Sequence, residues 1–107
     1  MAEDRVAYYQ AFVDKDPNNT MAWYVLAQEH AKGGAFAEAI AAYRRVVEID
    51  PTYVAAYYHG AVALQRSGDT AGARDLLTEG LGAAQKKGDL KTAGEIQELL
   101  QQLEAMG

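Results

Sequence analysis

The stretch from Trp23 to Pro51, WYVLAQEHAKGGAFAEAIAAYRRVVEIDP, reads as two amphipathic helices joined by a tight turn. Trp23, Leu26, Ala27 and His30 recur at i, i+3, i+4 spacing, so they share one helix face. After the Gly33-Gly34 break, Phe36, Ala39, Ile40, Tyr43, Val46 and Val47 form a second such stripe. Asp50-Pro51 ends it, because the residue before proline disfavours helix. A connection this short forces the two helices antiparallel. Each stripe needs a partner, so the pair packs face to face.

Working outward, the chain repeats itself at an offset of 34 residues. Ala22, Tyr24, Ala27, Gly34, Ala37 and Ala39 meet Ala56, Tyr58, Ala61, Gly68, Ala71 and Ala73, and Trp23 meets Tyr57. Toward the N-terminus, Ala7, Tyr9, Val13, Asp16 and Pro17 meet Ala41, Tyr43, Val47, Asp50 and Pro51. The matches are mostly small or aromatic residues, the types that decide how closely helices approach.

Trp23, Leu26, Ala27, His30, Ala39, Tyr43 and Pro51 together resemble a tetratricopeptide (TPR) repeat, with its W-x₂-L-G-x₂-Y…A-x₃-F…P pattern. The next copy, Tyr57, Gly60, Ala61, Leu64, Ala73, Leu77 and Gln85, is degenerate but keeps the period. The resemblance implies an all-α, right-handed solenoid of antiparallel helix pairs. Residues 3–17 then form a half-repeat helix, 20–53 the first repeat, 54–87 the second and 89–105 a C-terminal capping helix. Gly60 stands where the family has a large apolar residue, so packing there is looser or a neighbour fills the space. Gln85 replaces the terminating proline, so its helix runs on to about Lys87.

Six helices are expected, at about 3–15, 20–32, 36–49, 54–67, 70–86 and 89–105. Asn19 or Thr20, Thr52, Asp69 and Asp89 are the N-cap candidates. Gly33-Gly34, Gly68 and Gly88 mark stops. In the last helix Leu90, Ala93, Ile96, Leu100 and Leu103 make the apolar side, and Lys91, Glu95, Glu98, Gln101, Gln102 and Glu104 the wet one. One apolar and one polar face suit an element that closes a stack.

Composition excludes several classes of function. Hydrophobic residues make 50% of the chain and charged residues 23%, an ordinary globular balance. A net charge of −5 with no basic cluster argues against nucleic acid as partner. There is no cysteine, hence no disulfide, thiolate nucleophile or cysteine metal site. No run approaches the ~20 apolar residues of a membrane span. The start, Met1-Ala2-Glu3-Asp4, is acidic where a leader peptide is basic, and a cytoplasmic location is expected. No metalloprotease, phosphate-loop or nucleophile-elbow motif is present, and no enzyme activity, metal or cofactor is expected. His30 takes the place of a core tyrosine of the family and is expected to be a satisfied core histidine. Ser67, the one serine, sits at a helix stop.

Function is expected on the concave side. In the family that surface usually holds a peptide, and the resemblance implies a groove lined by Met21, Tyr24, Gln28 and Lys32 from the first pair. It adds Ala55, Tyr58, Val62 and Arg66 from the second, with His59 beside them and Thr92 and Ile96 from the last helix. Such a groove would be aromatic and mildly basic, suited to a protein or peptide partner. One subgroup of the family grips the C-terminal carboxylate of heat-shock chaperones with Lys, Asn and Arg spread over three repeats. Here Tyr24 and Gln28 stand at the expected Lys and Asn, and a full third repeat is lacking, so that partner is not expected. Val6, Tyr8, Tyr9, Phe12 and Val13 cover roughly 160° of the first helix, wider than a one-sided stripe. The excess points to contact with a second copy, or with a preceding repeat of a longer chain. Two alternatives to a peptide-binding module therefore stand: a structural or homo-oligomerisation unit, and an excised or engineered repeat domain without its own partner.

Overall fold

Six helices follow one another without a strand among the described residues: α1 (Ala2–Lys15), α2 (Thr20–Lys32), α3 (Phe36–Ile49), α4 (Val54–Arg66), α5 (Thr70–Lys87) and α6 (Leu90–Ala105). The computed structural model describes residues 2–106, with side chains from Asp4 onward. Met1, Gly107 and the side chains of Ala2 and Glu3 lie outside it, and with them the acidic reading of the N-terminus. Each helix packs mainly on its sequence neighbours, α1 on α2 through to α5 on α6. The chain measures 38 × 28 × 18 Å, and the short dimension is about two helix diameters, so the fold is a two-layer slab.

The loops repeat one set of bonds at the sequence offset. Trp23 Nε1 donates to the Pro17 carbonyl at 2.8 Å, and Tyr57 Oη donates to the Pro51 carbonyl at 2.9 Å. The Asp16 carboxylate accepts from Asn18 N–H and the Asp50 carboxylate from Thr52 N–H. Each Asp-Pro turn is thus closed by its own aspartate and tied to the next helix by an aromatic. At the other turns, Ala35 N–H reaches the His30 carbonyl, Asp69 the Leu64 carbonyl and Asp89 the Ala84 carbonyl, each at 2.9 Å. These 6→1 bonds mark the Schellman ending. They require a left-handed residue, which Gly34 (φ 77°) and Gly68 (φ 94°) supply without steric cost.

Asn19, Asp69 and Asp89 cap α2, α5 and α6, accepting from Ala22, Gly72 and Thr92 N–H. Thr52 does not cap α4. Its hydroxyl donates to Asp50 at 2.6 Å, and Tyr53 stands at the cap without a side-chain bond. The Asx turn has captured the threonine that a propensity reading assigns to the helix.

Small residues let the layers close. Ala27, Ala39, Ala56, Ala61, Ala73 and Ala84 are fully buried, with Leu26, Val46, Leu77, Ile96 and Leu103 filling between them. At Gly60 the space is taken: an added Cβ would lie 2.9 Å from Leu76 Cδ2 and 3.2 Å from Tyr43 Cβ. Two further expectations need correction. His30 is half-buried and its ring has no hydrogen bond among the described residues, so it borders solvent instead of completing the core. Leu90 is 78% exposed, while Leu99 joins the core in its place. The cause is phase. Leu90 is the first residue of α6, and the buried stripe runs Ala93, Ile96, Leu99, Leu103.

Candidate binding groove

Tyr24 on α2 sits at the centre of an aromatic group spanning three helices. Its ring lies 5.8 Å from Tyr43 of α3, 5.0 Å from Tyr53 before α4 and 6.1 Å from His59 of α4. His59 stacks on Tyr43 at 6.4 Å and meets Tyr58 edge-on at 5.4 Å. These separations suit edge-to-face and offset contacts, which add to simple burial. Tyr24 and Tyr58 are 34 residues apart and hold equivalent places on α2 and α4, which explains why the rings converge.

Next to the rings a hollow of about 210 Å³ is lined by Ala31, Lys32, Phe36, Tyr43, His59, Val62, Ala63 and Arg66. A second hollow, about 470 Å³, lies between α1 and α2, bounded by Arg5, Tyr8, Tyr9, Val25, Gln28, Glu29 and Lys32 among others. Lys32 borders both. Its ammonium donates to Glu29 Oε2 at 3.2 Å, and Arg5 lies 3.6 Å from the other carboxylate oxygen. Glu29 is only 4% exposed, so part of the expected basic character is consumed internally. Arg66 is exposed and has no ion pair among the described residues, so its charge is free beside the smaller hollow.

Burial disfavours the charged forms of Tyr24, Tyr43, Tyr53 and His59 alike. Burial pushes the Tyr43 phenol up to about 12, and the neighbouring Tyr24 pushes the same way. Tyr24 and Tyr53 are raised by burial first, then by Tyr53 and Asp50 respectively. Burial lowers His59, and Glu95 partly opposes it. The phenols of Tyr24, Tyr43 and Tyr53 hydrogen-bond to no protein group among the described residues, yet no buried side-chain polar atom there lacks a partner. They therefore reach water and can exchange it for a ligand's polar groups.

Placement of the sequence-derived residues is uneven. Tyr24, Lys32, Tyr58, His59, Val62 and Arg66 come together around the rings and the smaller hollow. Gln28 lies beside them in the larger hollow. Ala55 and Thr92 are half-buried, and Thr92 N–H is spent on the α6 cap. Met21 is exposed at the start of α2. Ile96 is fully buried against the α4–α5 core and cannot line a groove. Its position on the apolar stripe of α6 already demanded this. On α1, Val13 is buried in the core with Ala22 and Leu26, and Val6 and Tyr9 pack against them, so only Tyr8 and Phe12 remain available for outside contact. Three participants escaped the sequence reading. Tyr53 lies just outside a helix, where periodicity is silent, Tyr43 reads as core alone, and no motif or spacing singles out Glu29. Among the described residues no group of three or more His, Asp or Glu could hold a metal ion, and no helix is long and apolar enough to cross a membrane.

Comparison with known proteins agrees with this architecture. The family model described as Tetratricopeptide repeat matches residues 6–54. A tetratricopeptide repeat domain protein from Salinibacter ruber is 34% identical, with 86% of this chain and 93% of that one covered, at a TM-score of 0.80. The TPR2B domain of yeast Sti1, solved in its pHsp70 complex, is 25% identical over 95% of this chain and 82% of its own, at 0.87. The type III secretion translocator chaperone SycD of Yersinia enterocolitica shares the fold at 0.89 with 19% identity, 98% of this chain and 73% of that one being covered. No curated protein sequence matches the chain at a significant level. On the identity and coverage of the Salinibacter protein, and on the repeat geometry in its own loops, this chain belongs to the tetratricopeptide repeat family.

Proposed function

We propose that the chain is a protein-interaction module, built as a half-repeat (3–17), two helix pairs (20–53 and 54–87) and a closing helix (89–105), that seats a short segment of a partner protein against the α2–α4 surface. The observation that carries this reading is the aromatic group of Tyr24, Tyr43, Tyr53, Tyr58 and His59, beside an open hollow with Arg66 on its rim. Aromatic rings supply contact area at little conformational cost, and phenols add hydrogen bonds to a peptide backbone. The similarity to the yeast Sti1 domain, itself solved as a complex, supports partner binding in general. It does not bring that partner here, because Tyr24 and Gln28 replace the Lys and Asn that would grip a chaperone carboxylate.

The test is selection of binders from a displayed peptide library, followed by amide chemical-shift mapping on the purified chain. Perturbations should centre on Tyr24, Lys32, Tyr58, His59, Val62 and Arg66. Arg66→Glu should weaken the selected peptide by about 1–2 kcal/mol, roughly five- to thirtyfold, with the fold unchanged. Perturbations confined to the outer faces of α3 and α5 would reject the groove.

A further inference from the structure

Among the described residues five large apolar side chains are exposed, and two of them, Tyr8 and Phe12, pack against each other, with ring centroids 5.2 Å apart. They stand 60% and 44% exposed on successive turns of α1. Ala7 and Ala11 beside them are exposed as well, so the middle of the helix presents an apolar ridge. Exposed charged residues flank it, Asp4 and Arg5 at the N-terminal end and Asp14 and Lys15 at the C-terminal end.

Asp4, Tyr8, Ala11 and Lys15 follow one another at spacings of four, three and four, which places them on one line along the helix. Set against a second α1 running the opposite way, with a two-fold axis between Tyr9 and Gln10, this line complements itself. Asp4 falls opposite the partner's Lys15, and Tyr8 opposite the partner's Ala11. Each charge meets its opposite, and the large ring meets the smallest side chain. A parallel pairing would instead set Asp4 on Asp4, Lys15 on Lys15 and Tyr8 on Tyr8.

We propose that α1 is the interface of a homodimer, in which two copies pair antiparallel about a two-fold axis through the middle of this helix. One helix face from each copy makes a small contact, so the dimer is a weak, reversible one, more readily populated at high concentration. The groove between α2 and α4 takes no part, and this inference stands or falls apart from the peptide-binding reading.

The absence of cysteine from the chain makes introduced cysteines clean reporters. Sedimentation equilibrium on the unmodified chain should show a monomer–dimer equilibrium, and Tyr8→Glu should raise the dissociation constant at least about tenfold while the circular dichroism spectrum is retained. Oxidative cross-linking then reads the direction. In the antiparallel pair two Asp4→Cys copies lie about 16 Å apart along the helix, beyond disulfide reach, whereas Asp4→Cys and Lys15→Cys lie level. A mixture of the two variants should give a covalent dimer, and Asp4→Cys alone should not. A monomer at every concentration up to about 1 mM, a Tyr8→Glu variant that dimerises as before, or self-cross-linking of Asp4→Cys would each overturn the proposal.

Discussion

Gly80→Ala should destabilise the protein, although alanine is the better helix former. Gly80 lies in the interior of α5, facing α4 and α6. A Cβ there would sit 2.5 Å from Tyr57 Cβ, 2.9 Å from Tyr57 Cγ and 3.3 Å from Ile96 Cδ1. Carbon atoms rest about 3.5–4.0 Å apart, so the first contact is short by about 1–1.5 Å. Tyr57 Cβ is bonded to the backbone and cannot swing aside by changing rotamer. Helix α4 has to shift, and its shift strains the bond from Tyr57 Oη to the Pro51 carbonyl. Overpacking of this kind costs about 1–3 kcal/mol, and a weakened hydrogen bond about 1 kcal/mol more. Replacing glycine in a helix returns about 1 kcal/mol, leaving a net loss of about 1–3 kcal/mol. Gly82, two residues on, is the internal control. A Cβ there meets nothing within 4 Å, so Gly82→Ala should gain about 0.5–1 kcal/mol. Urea unfolding followed by circular dichroism measures both variants. The midpoints should move in opposite directions, and in a thermal melt each kcal/mol should appear as about 4 °C. If Gly80→Ala is as stable as Gly82→Ala, the close approach of α4 and α5 is not what the structure says it is. Helix α4 also carries Tyr58 and His59, so the same shift would move the groove.

Tyr57→Phe keeps the ring and removes one bond to the Pro51 carbonyl, and should cost about 0.5–1.5 kcal/mol in the same assay. His59 gives the protein an acid-sensitive component of stability. Burial holds its folded value below the ordinary 6.5, so the unfolded chain takes up the proton first as pH falls. That component is fully present above pH 6.5 and is lost as pH falls through the folded value. Urea midpoints measured between about pH 7 and 5 should fall in the native chain and fall less in His59→Gln. A matching slope in both would assign the loss elsewhere. Asp50 and Asp89, held low by side-chain bonds with Thr52 and Thr92, lose theirs only at more acid pH, outside that window.

Helix order and boundaries were legible because several local signals agree at each end. Where Asn19, Asp69 and Asp89 cap and Gly34, Gly68 and Gly88 reverse the chain, position and chemistry coincide. Thr52 failed as a cap because two local motifs competed for one hydroxyl, and propensity does not say which wins. Ile96 failed as a groove residue because a family template assigns faces by position, while burial follows the phase of the helix itself. The rings of the proposed groove were half legible. Tyr24 and Tyr58 follow from the repeat, but Tyr53 enters through a loop and Tyr43 through the back layer, and both depend on tertiary geometry that a one-dimensional pattern lacks. Glu29 was hidden for a related reason: its burial comes from α1, which lays Arg5 across it.

The two ends of the stack differ, and the difference constrains any assembly. At the C-terminal end Gln85 and Lys91 stand where Pro51 and Tyr57 stand one repeat earlier, so the aromatic tether across the turn cannot form. Helix α6 is held instead by its Asp89 cap and by burial of Ala93, Ile96, Leu99 and Leu103. Its outer side is polar, with Lys91, Glu95, Glu98, Gln101, Gln102 and Glu104 all exposed, and the exposed Leu90 at its start is too small an apolar surface for a further pair to stack on. At the other end α1 presents Tyr8 and Phe12. Head-to-tail stacking would set those rings against the carboxylates of α6, removing water from charged groups without pairing them. Pairing α1 with α1 sets rings against alanines and uses the same surface twice. Such an isologous contact closes on itself, so association through this end stops at two copies and leaves both grooves open.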